Sequence, residues 1–156
     1  MVRQLNPEYV AELKSLLKKS PYFDLIDMEL VTLTPGRALF IIPVRDKHTG
    51  HFGQVHGGVF ASVIDAATFW ALWTQVPAEN PMTTVELKIN YLAPAVAGKD
   101  LLAEGRTIKL GRSMGLAEAS LTELDTGRVV GFGTTTCMIL PPPLLAPLDQ
   151  MPKKYL

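Results

Sequence analysis

The sequence has a single cysteine, Cys137, among its 156 residues, so the chain has no second cysteine with which to form an internal disulfide. This thiol lies in the apolar run TTTCMIL, a context typical of a buried and unreactive cysteine in a reducing cytoplasm. The first residues lack the apolar stretch of a signal peptide, and Asp65 interrupts the longest hydrophobic segment. We therefore expect a cytoplasmic protein that neither is secreted nor inserts into a membrane.

The sequence also has no excess of charge of either sign. Lysine and arginine together number 15, and aspartate and glutamate together number 15. No basic stripe interleaved with aromatic residues is present, which argues against nucleic acid as a partner. The length suits one domain over residues 1–156 with a substantial core. A small molecule or another protein is the expected partner.

Hydrophobic spacing divides the chain into two helices and six strands. Asn6 and Pro7 predict the start of an amphipathic helix over about residues 6–20. The second helix, at about 58–76, is apolar nearly all round, which is typical of a helix buried on most sides. Strand-like runs and turn signals predict strands at about 28–33, 38–44, 83–92, 99–110, 113–124 and 128–139.

Turn residues and prolines indicate how these elements connect. Tight-turn chemistry at 111–113 and at 125–127 predicts that the last three strands form an antiparallel meander. The core therefore extends over about residues 20–140. Because proline lacks a backbone donor, the proline-rich residues 141–156 predict an extended tail over the surface or over a neighbouring subunit.

The segment that precedes the second helix contains the strongest candidates for functional residues. Its sequence, HTGHFGQVHGG, holds all three histidines and is followed by Asp65 within the apolar helix. A carboxylate is costly to bury unless water, a hydrogen bond or a partner chain reaches it, which argues for a use. From the residues alone, a structural acid that caps a loop remains the alternative. A zinc site is disfavoured because no further ligand pair has a metal-binding spacing.

The motif His56-Gly57-Gly58, with Asp65 nine positions after the histidine, resembles the hotdog-fold acyl-CoA thioesterases of the PaaI-like type. The segments FGQVHGG, VELKINYLAPA and AEGRTIKLGRSM support the resemblance, which covers about residues 20–140. It implies an α+β hotdog fold, with a long central helix wrapped by a curved antiparallel β-sheet. It further implies homodimers or dimers of dimers that pair through their sheets and build the active site between subunits.

The resemblance also implies catalytic residues. Asp65 is expected to activate water as a base or to attack the thioester as a nucleophile. The backbone N–H of Gly57 is expected to bind the thioester oxygen as it becomes negatively charged. His56 is expected to orient neighbouring polar groups, and Thr84 to help place the attacking water. Each of these residues also has a purely structural alternative, such as a tight turn or a loop hydrogen bond.

Further residues are implied in substrate binding. These are Gly58, His51, and the hairpin residues Arg112 and Ser113, the hairpin lying where related proteins often meet the phosphates of coenzyme A. The sequence departs from the family at Gly50. Related enzymes commonly have an asparagine there, whose amide polarises the thioester carbonyl, and the adjacent His51 is a candidate substitute.

The expected function is hydrolysis of an acyl-CoA thioester without metal or cofactor. Its alternatives are a hotdog module that binds acyl-CoA or an acyl group without turnover, which Gly50 makes plausible, and a hotdog dehydratase, which needs a differently placed His/Asp pair. The acyl pocket is expected along the apolar face of the second helix. Residues expected to line it are Phe60, Ile64, Phe69 and Trp70.

Overall fold

The computed structural model describes residues 4–144 and 146–156. In this part of the chain, three α-helices and six β-strands follow one another, with a single turn of 3₁₀-helix at Asp46–His48 and another at Leu148–Gln150. The elements are α1 (Pro7–Lys18), α2 (Pro21–Leu25), β1 (Glu29–Thr34), β2 (Arg37–Pro43), α3 (Gly57–Trp73), β3 (Met82–Tyr91), β4 (Asp100–Leu110), β5 (Met114–Glu123) and β6 (Val129–Ile139). The sequence did not predict α2 separately.

The six strands form one antiparallel sheet in the order β1-β2-β4-β5-β6-β3. The last three strands are consecutive neighbours, so the predicted meander is confirmed. β3 follows α3 along the chain and pairs with β6, which leaves β3 at one edge of the sheet. Register shifts interrupt four of the five strand pairs, and such bulges bend and twist a sheet. The sheet therefore curves around α3.

The long helix α3 lies in the concave face of this sheet, in close contact with it. A Cβ atom added to Gly105 of β4 would lie 2.1 Å from the carbonyl oxygen of Ala67, and one added to Gly133 of β6 would lie 2.8 Å from Ile64 Cγ2. Glycine at these positions therefore lets the strands approach the helix closely. The predicted architecture, a central helix wrapped by a curved antiparallel sheet, is confirmed.

The N-terminal helices and the tail cover the open side of α3. Asn6 Oδ1 accepts a hydrogen bond of 3.0 Å from Glu8 N and caps α1 as predicted. The tail returns to the same chain, where Tyr155 forms a β-bridge with Leu5. Lys154 is 3% exposed and donates to the carbonyl oxygens of Trp73, the last residue of α3, and of Val76 just beyond it. Among the described residues, no helix has the length and apolar character needed to cross a membrane.

Candidate active site

Asp65 lies in the wall of a cavity of about 490 Å³ between α3 and the N-terminal helices. Its carboxylate is half-buried and faces β3, where the hydroxyl of Thr84 donates a hydrogen bond of 2.9 Å to Asp65 Oδ1. A bulge in β3 follows Thr84 directly. The structure therefore brings together two residues that lie 19 positions apart in the sequence and that the family resemblance implies in one site.

Burial in this cavity raises the pKa of Asp65, and the hydrogen bond from Thr84 opposes that rise only in part. A carboxylate with a raised pKa is a stronger base than one in water, provided that the pH keeps it ionised. Behind Thr84, the sulfur of Cys137 lies 3.8 Å from the threonine oxygen. Burial raises the pKa of Cys137 to about 11, so this thiol stays protonated at neutral pH and is not a nucleophile.

The N-terminal end of α3 forms the second part of the site. His56 is the N-cap of the helix, and its Nδ1 atom accepts a hydrogen bond of 2.9 Å from Gly58 N–H. A Cβ on Gly58 would lie 3.0 Å from that nitrogen, so glycine accommodates the cap. In the described part of the chain, no acceptor is bonded to Gly57 N–H. Because the helix dipole is positive here, this free donor is suited to a negatively charged oxygen.

Gly57 and Asp65 belong to opposite ends of the candidate site. Eight residues of α-helix separate them, which corresponds to about 12 Å along the helix axis. A thioester carbonyl needs both its oxyanion donor and its attacking group within about 3 Å. Within one chain, Gly57 N–H and the Asp65 carboxylate therefore cannot act on the same carbonyl.

The remaining predicted binding residues are exposed on two loops. His51 is exposed in the turn that follows Gly50. Arg112 and Ser113 are exposed in the hairpin between β4 and β5. This hairpin lies near the C-terminal end of α3, since a Cβ on Gly115, at the start of β5, would touch Leu72. Neither hairpin residue lines the cavity of Asp65 or the one beside Gly57.

The expected acyl-pocket residues divide into three groups. Phe69 and Trp70 line the cavity that contains Asp65. Phe60 lines a different cavity of about 570 Å³ beside Gly57, and Ile64 is fully buried in the core.

Two residues that the sequence did not single out also shape the Asp65 cavity. Tyr22 of α2 and Ser62 of α3 both line it, and their hydroxyl oxygens lie 2.6 Å apart. Ser62 also donates to Gly58 O, so its proton is used and Tyr22 is the donor in this pair. The pair therefore ties the N-terminal segment to the helix one turn from Asp65.

The three histidines have different surroundings. His48 is buried, and its Nδ1 atom accepts a hydrogen bond of 2.9 Å from Arg45 N. Burial lowers the pKa of His48, which keeps the ring neutral. His56 caps α3, while His51 is exposed. Among the described residues, no group of three histidine, cysteine or acidic side chains is placed to hold a metal ion.

Comparison with known proteins identifies the family. The model of the thioesterase superfamily matches residues 52–130, a range that includes the histidine-glycine motif, Asp65 and Thr84. The chain belongs to the thioesterase superfamily. Acyl-coenzyme A thioesterase 13 of Homo sapiens is 31% identical over 108 residues, which cover 69% of this chain and 76% of the relative.

Solved structures of superfamily members agree with the fold. Thioesterase superfamily member 2 of zebra fish superposes with a TM-score of 0.75 at 26% identity, covering 85% of this chain and 98% of that one. The PaaI protein of E. coli, from the phenylacetic acid degradation operon, has a TM-score of 0.78 at 15% identity and covers 90% of this chain and 100% of its own. The expected PaaI-like hotdog fold is confirmed, as is the assignment of this superfamily member to the thioester hydrolases.

Proposed function

We propose that the protein hydrolyses an acyl-CoA thioester to a free acid and coenzyme A, with Asp65 as the base or the nucleophile. The observation that carries the proposal is the half-buried Asp65 carboxylate, which accepts a hydrogen bond from Thr84 in the wall of a largely apolar cavity. Such a cavity suits an acyl chain, and the acid stands where the thioester would reach it. The similarity to acyl-coenzyme A thioesterase 13 supports the choice of acyl-CoA as the substrate class.

In the base mechanism, Asp65 removes a proton from a water molecule as the water oxygen attacks the thioester carbon. The Thr84 hydroxyl donates to Asp65 and contacts Cys137 Sγ, and its oxygen has a second lone pair with which to accept a hydrogen bond from that water. The carbonyl electrons move to oxygen, and Gly57 N–H binds the resulting oxyanion. When the intermediate collapses, the C–S bond breaks and the departing sulfur takes the proton held by Asp65.

In the nucleophile mechanism, Asp65 attacks the carbonyl carbon directly and expels the coenzyme A thiolate. A mixed anhydride forms, and water then hydrolyses it to release the acid and restore the carboxylate. Both routes use the same oxyanion donor. They differ in whether the acyl group is ever covalently attached to the protein.

We further propose that the active site lies between two subunits, with Gly57 from one and Asp65 from the other. The separation of about 12 Å along α3 supports this, because one chain alone cannot supply both groups to one carbonyl. The edge strand β3 supports it too. Its outer edge is unpaired in the described residues, and Val85 on this strand is 48% exposed, as expected for a strand that pairs with a second copy.

Coenzyme A is proposed to extend from the thioester toward exposed cationic and polar side chains. Arg112 and Ser113 are candidates because both are exposed, and Arg112 forms no ion pair within the described residues. A free guanidinium forks well onto phosphate. Gly58 is proposed to contribute by accommodating the His56 cap, since its N–H is already bonded to that side chain. His51 has the exposure needed to contact the substrate from the loop.

The second candidate is an acyl-CoA binding module without turnover, and the observation that favours it is Gly50, which has no side chain to polarise the carbonyl. Thiol release measured with DTNB across short, long and aromatic acyl-CoAs distinguishes the two. Turnover that depends on Asp65 supports the hydrolase. Tight binding of an acyl-CoA by calorimetry with no thiol release would replace the hydrolase with the binding module.

A further inference from the structure

We propose that the Tyr91 hydroxyl is the second hydrogen-bond donor to the thioester oxygen, beside Gly57 N–H. This inference rests on the proposed function and adds to it a catalytic residue that neither the motif nor the comparisons indicate. It also answers the question that Gly50 raises, namely which group polarises the carbonyl in a loop without the family's asparagine.

The ring of Tyr91 lies directly on the N-terminal turn of α3. Tyr91 is the last residue of β3 and pairs with Gly131 of β6. A Cβ atom added to Gly57 would lie 3.1 Å from Tyr91 Cε1, 3.2 Å from Cζ and 3.3 Å from the hydroxyl oxygen. Glycine at 57 therefore lets the phenol pack against the helix terminus. On its other side the ring contacts Phe60, with ring centroids 5.7 Å apart.

The hydroxyl proton of Tyr91 is available to a ligand. Its acceptor in the chain is Gly57 O at 3.3 Å, which is longer than an ordinary O–H···O hydrogen bond. The residue is 58% exposed, and it lines the cavity of about 570 Å³ together with Gly57. A thioester oxygen that accepts from Gly57 N–H enters the same cavity. Because the N–H and C=O groups of a helical residue point in opposite directions, the phenol has to turn away from its long bond to Gly57 O to donate to that oxygen.

The other candidate donors are less well placed. A Cβ on Gly50 would lie 3.9 Å from His56 Cδ2 and 3.9 Å from Gln54 O, so this position faces the N-cap side chain. His51 is exposed, and the described lining of the cavity beside Gly57 does not include it. Gln54 also lines this cavity, but the three atoms nearest to a Cβ on Gly57 all belong to Tyr91, so Tyr91 is the side-chain donor in direct contact with Gly57.

The proposed chemistry requires no proton transfer from the phenol. As the carbonyl carbon is attacked, its π electrons move onto oxygen, and the two donors, Gly57 N–H and Tyr91 O–H, stabilise the negative charge. When the C–S bond breaks, the electrons return and both protons remain on the protein. Removal of one such donor in other enzymes lowers kcat by about 10²- to 10³-fold. Since Tyr91 is partly exposed, we expect the lower end of this range, on the order of 10²-fold.

The first test is the Tyr91→Phe variant, which keeps the ring contacts with Gly57 and Phe60 and loses only the hydroxyl. We expect kcat to fall on the order of 10²-fold with KM changed less than about threefold, because the lost interaction strengthens only as charge builds on oxygen. Tyr155→Phe is the matched control. Its hydroxyl donates to Val76 O beyond the far end of α3, so it tests the same chemical change away from the cavity, and kcat should be unchanged.

The second test separates a catalytic from a structural role without turnover. A thioester labelled with ¹³C at the carbonyl is bound to the Asp65→Asn variant, and its C=O stretching band is measured by isotope-edited infrared spectroscopy. Adding Tyr91→Phe should move the band to higher frequency, since one donor is lost. Unchanged kcat, or a lower kcat without a band shift, would overturn the proposal. If Asp65→Asn abolishes hydrolysis while Tyr91→Phe does not affect it, only this inference fails. If the wild-type protein releases no thiol at all, the proposed function fails.

Discussion

Replacing Asp65 with asparagine should abolish most thioester hydrolysis while leaving the fold intact. The amide has nearly the volume of the carboxylate, and its Oδ1 atom can still accept the hydrogen bond from Thr84. What disappears is the negative charge that is proposed to take a proton from water. Loss of a general base lowers rates by about 10²- to 10⁴-fold. At about 1.36 kcal/mol per factor of ten, this corresponds to about 2.7 to 5.4 kcal/mol of transition-state stabilisation. If Asp65 is instead the nucleophile, its loss removes the covalent route altogether. A fall in kcat larger than this range would therefore favour the anhydride mechanism.

The same variant makes a stability prediction with a definite sign. Because burial raises the pKa of Asp65, the folded state holds the proton more tightly than the unfolded state does. At neutral pH the ionised buried carboxylate therefore costs stability, and this cost disappears as the pH falls through the raised pKa. Asp65→Asn should have a Tm at neutral pH equal to or above that of the wild type, with a smaller difference in acid.

Both effects are measured on the same samples, by thiol release with DTNB and by thermal unfolding at neutral and acidic pH. Asp149→Asn is the control. Asp149 is exposed, so this substitution makes the same chemical change on the surface. Wild-type kcat in a folded Asp65→Asn protein would refute the assignment of Asp65. A strongly lowered Tm would instead show that the carboxylate supports the fold.

Four further results are expected. Light scattering should give a dimer or a tetramer, and a monomer at micromolar concentration would contradict a shared active site. EDTA should leave hydrolysis unchanged, whereas a loss that zinc restores would indicate a metal site. Thr84→Val removes the hydrogen bond that lowers the pKa of Asp65, so the acid limb of the plot of kcat against pH should move to higher pH. An acid limb that does not move would show that Thr84 does not act on the group that titrates there. Gly50→Asn should change kcat little if Tyr91 already polarises the carbonyl, and a clear rise would show that a donor is missing.

The elements around the site were predictable because each has a strong local signal. The apolar run of α3 contains no proline, and β3 alternates polar and apolar residues from Thr84 to Tyr91, so local pattern alone predicts the helix and the strand. The family resemblance implies that Asp65 and Thr84 act in one site, but it does not predict the hydrogen bond between them. Spacing alone does not predict it, since it depends on the register of β3 against the helix.

The contacts that the sequence did not reveal join segments far apart in the chain. Tyr22 and Ser62 are 40 positions apart, and Lys154 lies 78 positions from the carbonyl of Val76 to which it donates. The prolines of the tail predict an extended segment but not a buried lysine, yet Lys154 is buried where it donates to carbonyl groups at and just beyond the negative end of the α3 dipole. Composition indicates which residues are polar, but it does not indicate which backbone carbonyl groups at a helix end they will hydrogen-bond.

The spacing of the motif in the sequence does not show how far apart its residues lie in the structure. Read along the sequence, His56, Gly57, Gly58 and Asp65 form one compact signature. Folding places them on one helix, where eight residues correspond to about 12 Å of rise and a rotation of about 80° beyond two full turns. Gly57 N–H and the Asp65 carboxylate, the proposed oxyanion donor and base, are therefore held apart within one chain although they are close in sequence. If Asp65 and Gly57 act on one thioester as proposed, a second copy of the same helix has to bring the complementary group to it.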